Sequence, residues 1–127
     1  PLYSSAASDV YKRQTLHAQA IIRRILMLSG TPKMTVNEIR IGSTVPEMLQ
    51  FDLDLEYKVQ QHLKDGIALC EEEHDYVTRD ILVEQLQDTE EDHAHWLEQQ
   101  LRLIDMVTLP NYLQSQIAEV PPELTQG

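Results

Sequence analysis

Glu90-Glu91-Asp92-His93 sets a carboxylate and an imidazole at i and i+3 within a stripe of apolar residues. On a continuous α-helix, Leu86, Glu90, His93, Leu97 and Ile104 fall on one side at 3.6 residues per turn. That side is expected to face a bundle core, where a charge is costly unless something neutralises it. A metal ion is the natural answer. The plainer reading of a lone Glu-x-x-His is a surface pair, and its place on the apolar stripe argues against it.

A second carboxylate lies on an equally regular stripe upstream, where Glu56 interrupts Leu49, Leu53, Gln60, Leu63, Ile67 and Cys70. Steps of four and three are the spacing of a bundle-facing seam, so Glu56 is expected to point inward as well. Helical bundles that hold two iron or manganese ions take one Glu from each of two helices and a Glu-x-x-His from each of the other two. Glu56 with Glu90 and His93 is one half of that set. For the other half, His17 lies on the stripe Gln14, His17, Ile21, Ile25 and Leu28, but position 14 is Gln where a ligand Glu belongs. A counterpart of Glu56, spaced as Glu56 is from Glu90, falls ahead of Pro1.

From His17 onward the chain resembles bacterioferritin, in the ferritin-like family. The resemblance rests on His17-Ala18, Arg24-Ile25-Leu26, Gly30-Thr31-Pro32, Val45-Pro46-Glu47-Met48-Leu49 and Asp52-Leu53-Asp54-Leu55-Glu56. It continues through His74-Asp75-Tyr76-Val77, Arg79-Asp80, Glu90-Glu91-Asp92-His93, Trp96-Leu97-Glu98 and Asn111-Tyr112-Leu113-Gln114-Ser115-Gln116-Ile117. It implies an all-α, ferritin-like four-helix bundle with one long crossover and a short C-terminal helix, here lacking the first helix and part of the second. It also implies that Glu56, Glu90, His93 and His17 match ferroxidase-centre ligands, with Glu90 as a bridging carboxylate. The outcome implied is iron storage and detoxification: Fe(II) is oxidised by dioxygen or peroxide at a di-iron centre and kept as ferric mineral in a cage of 24 subunits. The C-terminal helix is then placed around a four-fold channel, with Asn111 and Gln114 along the passage.

Two positions depart from the family pattern. Haem-binding members place Met directly after the first bridging Glu, and here that position is Thr15. The expectation is therefore a haem-free subunit, assembled alone or with a haem-binding type. The second departure is residues 1–14, which match no part of the family pattern and look like translated adapter fused to a truncated frame. They lack the charged and apolar regions of a signal peptide. On that view residues 15–118 are a partial ferritin-like domain, residues 119–127 a disordered tail, and this fragment is inactive although its full-length parent is a ferroxidase.

Composition fits one cytoplasmic domain: 127 residues, 42% hydrophobic but 6% aromatic. A net charge of −11 speaks against nucleic acid, because a phosphate backbone is repelled. The acidity is either a solvated surface or a means of drawing cations inward. A single Cys forms no intramolecular disulfide and fits a reducing compartment. No apolar run reaches the length of a membrane span.

Stop and start signals divide the chain. A helix over about 15–28 ends at Ser29-Gly30-Thr31-Pro32, with Gly30 suited to the position after its C-terminus and Arg23 and Arg24 favouring its negative end. A long connection over 30–44 crosses the bundle. The next helix, about 45–72, is capped by Ser43 or Thr44 with Pro46 in its first turn and Glu47 at the positive end. A helix over about 75–106 follows, capped by Asp75, and Pro110 stops it before a short helix at 111–118.

Other residues read more plainly. Asp92, Glu91, His62, His74 and His95 are expected in solvent, and Trp96 half covered. Cys70 is a small core residue or a weak metal contact. Tyr76 is core or lies behind the ligands, with core favoured. Three functions remain: an iron-oxidising storage subunit; a structural cage subunit without a complete ferroxidase centre, favoured by a native Gln14; and a manganese or peroxide-reducing bundle, disfavoured by the terminal helix.

Overall fold

The computed structural model describes residues 2–33, 35 and 40–118, and within the first helix it describes the side chains of Asp9 and of residue 12 onward. The residues of the expected disordered tail lie outside the described residues. Among those described, the chain is all-helical: α1 (Leu2–Met27), α2 (Val45–Glu72), α3 (Tyr76–Asp88), a π-helical turn (Thr89–Ala94), α4 (His95–Val107) and α5 (Leu109–Ala118).

Local chemistry explains each boundary. Thr44 is the cap of α2, in extended backbone, with its hydroxyl accepting the Glu47 N–H at 3.3 Å. Ser43 serves differently, donating its backbone N–H and its hydroxyl to the Glu47 carboxylate at 2.9 Å each. The far end of α2 closes without glycine. His74 stands at φ 57°, its N–H reaches Glu71 O at 3.3 Å and the Asp75 N–H reaches Cys70 O at 2.9 Å. That is the double hydrogen bond of a left-handed helix cap. Asp75 then caps α3 by accepting from the Thr78 N–H.

The end of α1 repeats the device and corrects the expected role of Gly30. Ser29, at φ 63°, is the left-handed residue, with Ser29 N–H on Leu26 O at 3.0 Å and Gly30 N–H on Ile25 O at 2.8 Å. Gly30 is needed for space instead: a Cβ there meets Ile25 Cγ2 at 2.9 Å and Ile25 O at 3.2 Å. Pro110 is also corrected. The break after α4 falls at Thr108, with φ 73° and ψ 156°, and Pro110 sits in the first turn of α5, where a missing N–H costs nothing.

Side-chain pairs fix the topology. Arg79 binds Glu71, Gly66 lies against Leu82, Lys64 binds Glu90, and Glu56 faces His93, so α2 and the α3–α4 rod run antiparallel. Arg13 to Asp92 at 2.5 Å, His17 to Asp88 at 2.8 Å, and Arg24 to Thr78 and Asp75 at 2.9 and 3.1 Å make α1 antiparallel to the same rod. The C-terminal end of α1 therefore lies beside the α2–α3 hairpin, at the opposite end of the bundle from the start of α2. The link from Met27 to Val45 joins those two ends, as the long crossover requires.

The apolar core gathers at the end where α2 begins: Leu49, Leu53, Ala94, Leu97, Ile104 and Tyr112 are buried together, with Val45, Trp96, Leu101 and Leu109 packed around them. Tyr112 ties α5 down by donating its hydroxyl to Gln100 Oε1 at 2.8 Å. Tyr76 departs from its favoured reading as core. It is 55% exposed, with its hydroxyl 3.2 Å from His74 Nδ1, because the left-handed turn at His74 directs the start of α3 outward. No described helix is long and apolar enough to cross a membrane.

Candidate metal centre

The π-helical turn decides which residues reach the core. Its flanks are helical, Asp88 at φ −60°, ψ −41° and His95 at φ −60°, ψ −43°, so the rod is continuous through it. The buried residues along the rod are Gln85, Thr89, His93, Ala94, Leu97 and, further on, Ile104, with Gln85, Thr89, His93 and Leu97 in steps of four. Steps of four advance a regular α-helix by about 40° each, and several in succession rotate off one face. A wider π turn absorbs that drift. The inward face upstream of the turn is consequently one residue earlier than an unbroken α-helix predicts.

That shift accounts for Glu90. Sequence spacing placed it inward, whereas Thr89 occupies the buried position, its hydroxyl donating to Leu86 O at 2.9 Å. The Glu90 side chain is 45% exposed and its Oε1 lies 3.2 Å from Lys64 Nζ, itself 51% exposed. This corrects the expected orientation, and the cause is the extra residue wound into the turn.

His93 and Glu56 do come together. The His93 side chain is 4% exposed and Glu56 13%, with His93 Nδ1 3.6 Å from Glu56 Oε1. Both ring nitrogens of His93 are buried without a hydrogen-bond partner, as is the amide nitrogen of Gln60, one turn beyond Glu56. Buried polar atoms are nearly always paired, because desolvation without a partner costs on the order of 1–3 kcal/mol. An imidazole and a carboxylate aimed at each other, with the imidazole otherwise unsatisfied, form a donor set that suits a divalent transition-metal ion. Asp52, one turn before Glu56, has its pKa raised first by burial and then by the Glu56 charge. Negative charge is thus concentrated on this face of α2.

His17 stands apart from that pair. Its Nε2 is 2.8 Å from Asp88 Oδ2, and its backbone carbonyl accepts the amide of buried Gln85 at 3.1 Å. Among the described residues no three His, Cys, Asp or Glu side chains stand close enough to hold one ion. Glu56 and His93 are brought together; Glu90 and His17 are turned to Lys64 and Asp88. Cys70 is buried as expected, and burial followed by the Asp75 charge pushes its thiol pKa up, so it is an unreactive core residue.

Gln85, Asp88 and Thr89 are the polar residues around the site that sequence reasoning passed over, whereas Gln60 was read on the inward seam and is buried there. The four-residue spacing from Gln85 through Thr89 and His93 to Leu97 is the signal that could have found two of them.

The fold is thus a helical bundle with a long crossover and a buried carboxylate–imidazole pair on neighbouring antiparallel helices. The chain belongs to the ferritin family: it matches the ferritin-like domain over residues 8–107, a match that begins within the stretch expected to be foreign. It is 60% identical over 106 residues to a bacterial ferritin of Neisseria meningitidis serogroup B, covering 84% of this chain and 69% of that protein. A bacterial ferritin of Synechocystis is 56% identical over 118 residues, 92% of this chain and 75% of the relative. A bacterioferritin of Mycobacterium bovis is 42% identical over 90 residues, 70% and 56% of the two chains.

Proposed function

We propose that this chain is an iron-storage subunit of the bacterial ferritin type, whose Glu56 and His93 take Fe(II) as substrate, with Glu90 and His17 completing the ligand set. The observation that carries the reading is the buried His93 ring, with both nitrogens unpaired, 3.6 Å from the Glu56 carboxylate. When bound, two such ions supply one electron each to dioxygen or peroxide. The protein's own part is to hold donors in a desolvated place: Glu56 supplies a carboxylate oxygen and His93 a neutral nitrogen, while the π turn keeps His93 inward.

For Glu90 to join them it must leave Lys64. An ion pair about half exposed on both sides is worth about 0–1 kcal/mol, so Lys64 is readily displaced by a divalent cation. The same proposal includes a cage of 24 subunits, a haem-free subunit type on account of Thr15, a cytoplasmic setting, and a di-iron ferroxidase centre for which the position of a bridging carboxylate is held here by Gln14. A structural cage subunit that leaves oxidation to its partners is the second reading, favoured by the absence of a three-donor cluster among the described residues.

Calorimetry with Zn(II), and absorbance of ferric product after Fe(II) addition, test this. Zn(II) binding is expected in the chain as given and should be lost in both Glu56→Gln and His93→Ala. Ferric product should appear once Gln14→Glu and an upstream helix bearing a Glu are present. Zn(II) binding unaffected by either substitution excludes the site; binding without Fe(II) oxidation in the completed protein favours the structural reading.

A further inference from the structure

Metal-binding histidines usually offer one ring nitrogen to the ion and commit the other to a hydrogen bond that fixes the ring and its tautomer. His93 has no such partner among the described residues, whereas His17 has a specific one. Asp88 Oδ2 stands 2.8 Å from His17 Nε2, with the two side chains only 31% and 21% exposed. A carboxylate at neutral pH accepts hydrogen bonds and donates none. The nitrogen facing it therefore carries a proton, and whenever the ring is neutral its lone pair lies on Nδ1. At His93 it is likewise Nδ1 that faces Glu56.

The backbone around His17 is held too. Gln85, buried on α3 one turn before Asp88, donates its amide to the His17 carbonyl at 3.1 Å, so one helix face grips both ends of the residue. Asp88 is the last residue before the π turn, and the wider winding that follows separates the face it shares with Gln85 from the exposed side on which Glu90 lies.

We propose that Asp88 is a positioning residue whose carboxylate accepts the Nε2 proton of His17 and thereby presents Nδ1 as the metal donor. This rests on the reading of His17 as a ligand. Asp88 acts through His17 and touches neither ion nor oxidant.

The test is a long-range proton–nitrogen correlation spectrum of histidine-labelled protein at about pH 8.5, where a free imidazole is neutral, recorded with and without Zn(II). In the parent, His17 should show a protonated Nε2 and an unprotonated Nδ1. Asp88→Ala should give averaged nitrogen shifts, Asp88→Glu should restore the parent pattern, and Zn(II) should shift His17 Nδ1 in the parent with affinity about 10-fold or more weaker in Asp88→Ala. Amide-spectrum dispersion checks that each variant is folded; if Asp88→Ala is not, Asp88→Asn takes its place, since its amide can donate to Nε2 and move the proton to Nδ1. A His17 tautomer identical in parent and Asp88 variants overturns the proposal while leaving the ligand reading intact. A tautomer set by Asp88 but a His17 Nδ1 indifferent to Zn(II) that shifts His93 also overturns it, showing a purely structural contact. Zn(II) that moves neither histidine removes the metal-centre reading itself.

Discussion

At single positions, conformational strain and close approach explain choices that composition hides. Ser29 and His74 hold left-handed backbone at helix ends, a state costing roughly 1–2 kcal/mol for a residue with a Cβ. Each is compensated by two backbone hydrogen bonds that close the helix. Replacing Ser29 by Gly is expected to raise stability by about 0.5–1 kcal/mol in urea unfolding. Gly30→Ala should lower it by about 1–3 kcal/mol, since the new methyl presses on Ile25. The reverse order of effects would mean that Gly30, and not Ser29, bears the strain. Because both helices end on residues other than glycine at the left-handed position, the usual sequence signal was absent for α2 and one residue off for α1. Glu56 was legible as inward-facing because the α-helical period of α2 is undisturbed, and His93 because it keeps step with Leu97 and Ile104 just beyond the π turn.

At the scale of helices, α2 was read with its observed bounds because Thr44, Pro46 and Glu47 mark its start and a seam of four- and three-residue steps runs its length. The rod from Tyr76 to Val107 was read as one helix, which it is, but its winding was not. A π turn leaves no compositional mark; it shows only as a run of four-residue steps, and an α-helical ruler laid across it chose Glu90 over Thr89. Deleting Glu91 should convert the turn to α-helix. Far-UV circular dichroism is expected to hold, while Zn(II) binding disappears because His93 rotates away from Glu56; retained binding would show that the extra residue plays no part in placing the ring.

Caps also make the helices sensitive to acid. The Asp75 carboxyl is held below its ordinary pKa by hydrogen bonds from the Thr78 hydroxyl and N–H, and then by Arg24. Its folded form resists protonation more than its unfolded form, so its contribution is complete above about pH 4 and is lost as pH falls through the lower folded value. Glu47, held down by Ser43, behaves alike. Asp75→Asn keeps a cap acceptor without the proton linkage. Its melting-temperature deficit at pH 7 should therefore shrink by pH 3; parallel curves would assign the acid sensitivity elsewhere.

Taken whole, the molecule keeps little of its apolar surface inside. Among the described residues no large side chain is completely buried, and Leu26, Met27, Leu28, Ile41, Leu55, Leu69, Val77 and Met106 are all at least half exposed. A folded domain is held by only about 5–15 kcal/mol, and burial contributes roughly 25 cal/mol per Å². Such a surface predicts a broad thermal transition and dye binding to exposed apolar groups when the chain is alone. A sharp, cooperative transition in a monomer would contradict this.

Thr108 has a consequence for symmetry. A threonine at φ 73° and ψ 156° occupies a corner of conformational space with hardly any neighbouring room. On the far side of that corner the Tyr112 hydroxyl is bonded to Gln100, which ties the arm formed by α5 back to α4. In the assembly proposed above, copies around a rotation axis would all project such an arm at one common angle, and the tie to α4 favours that angle before any copy meets another.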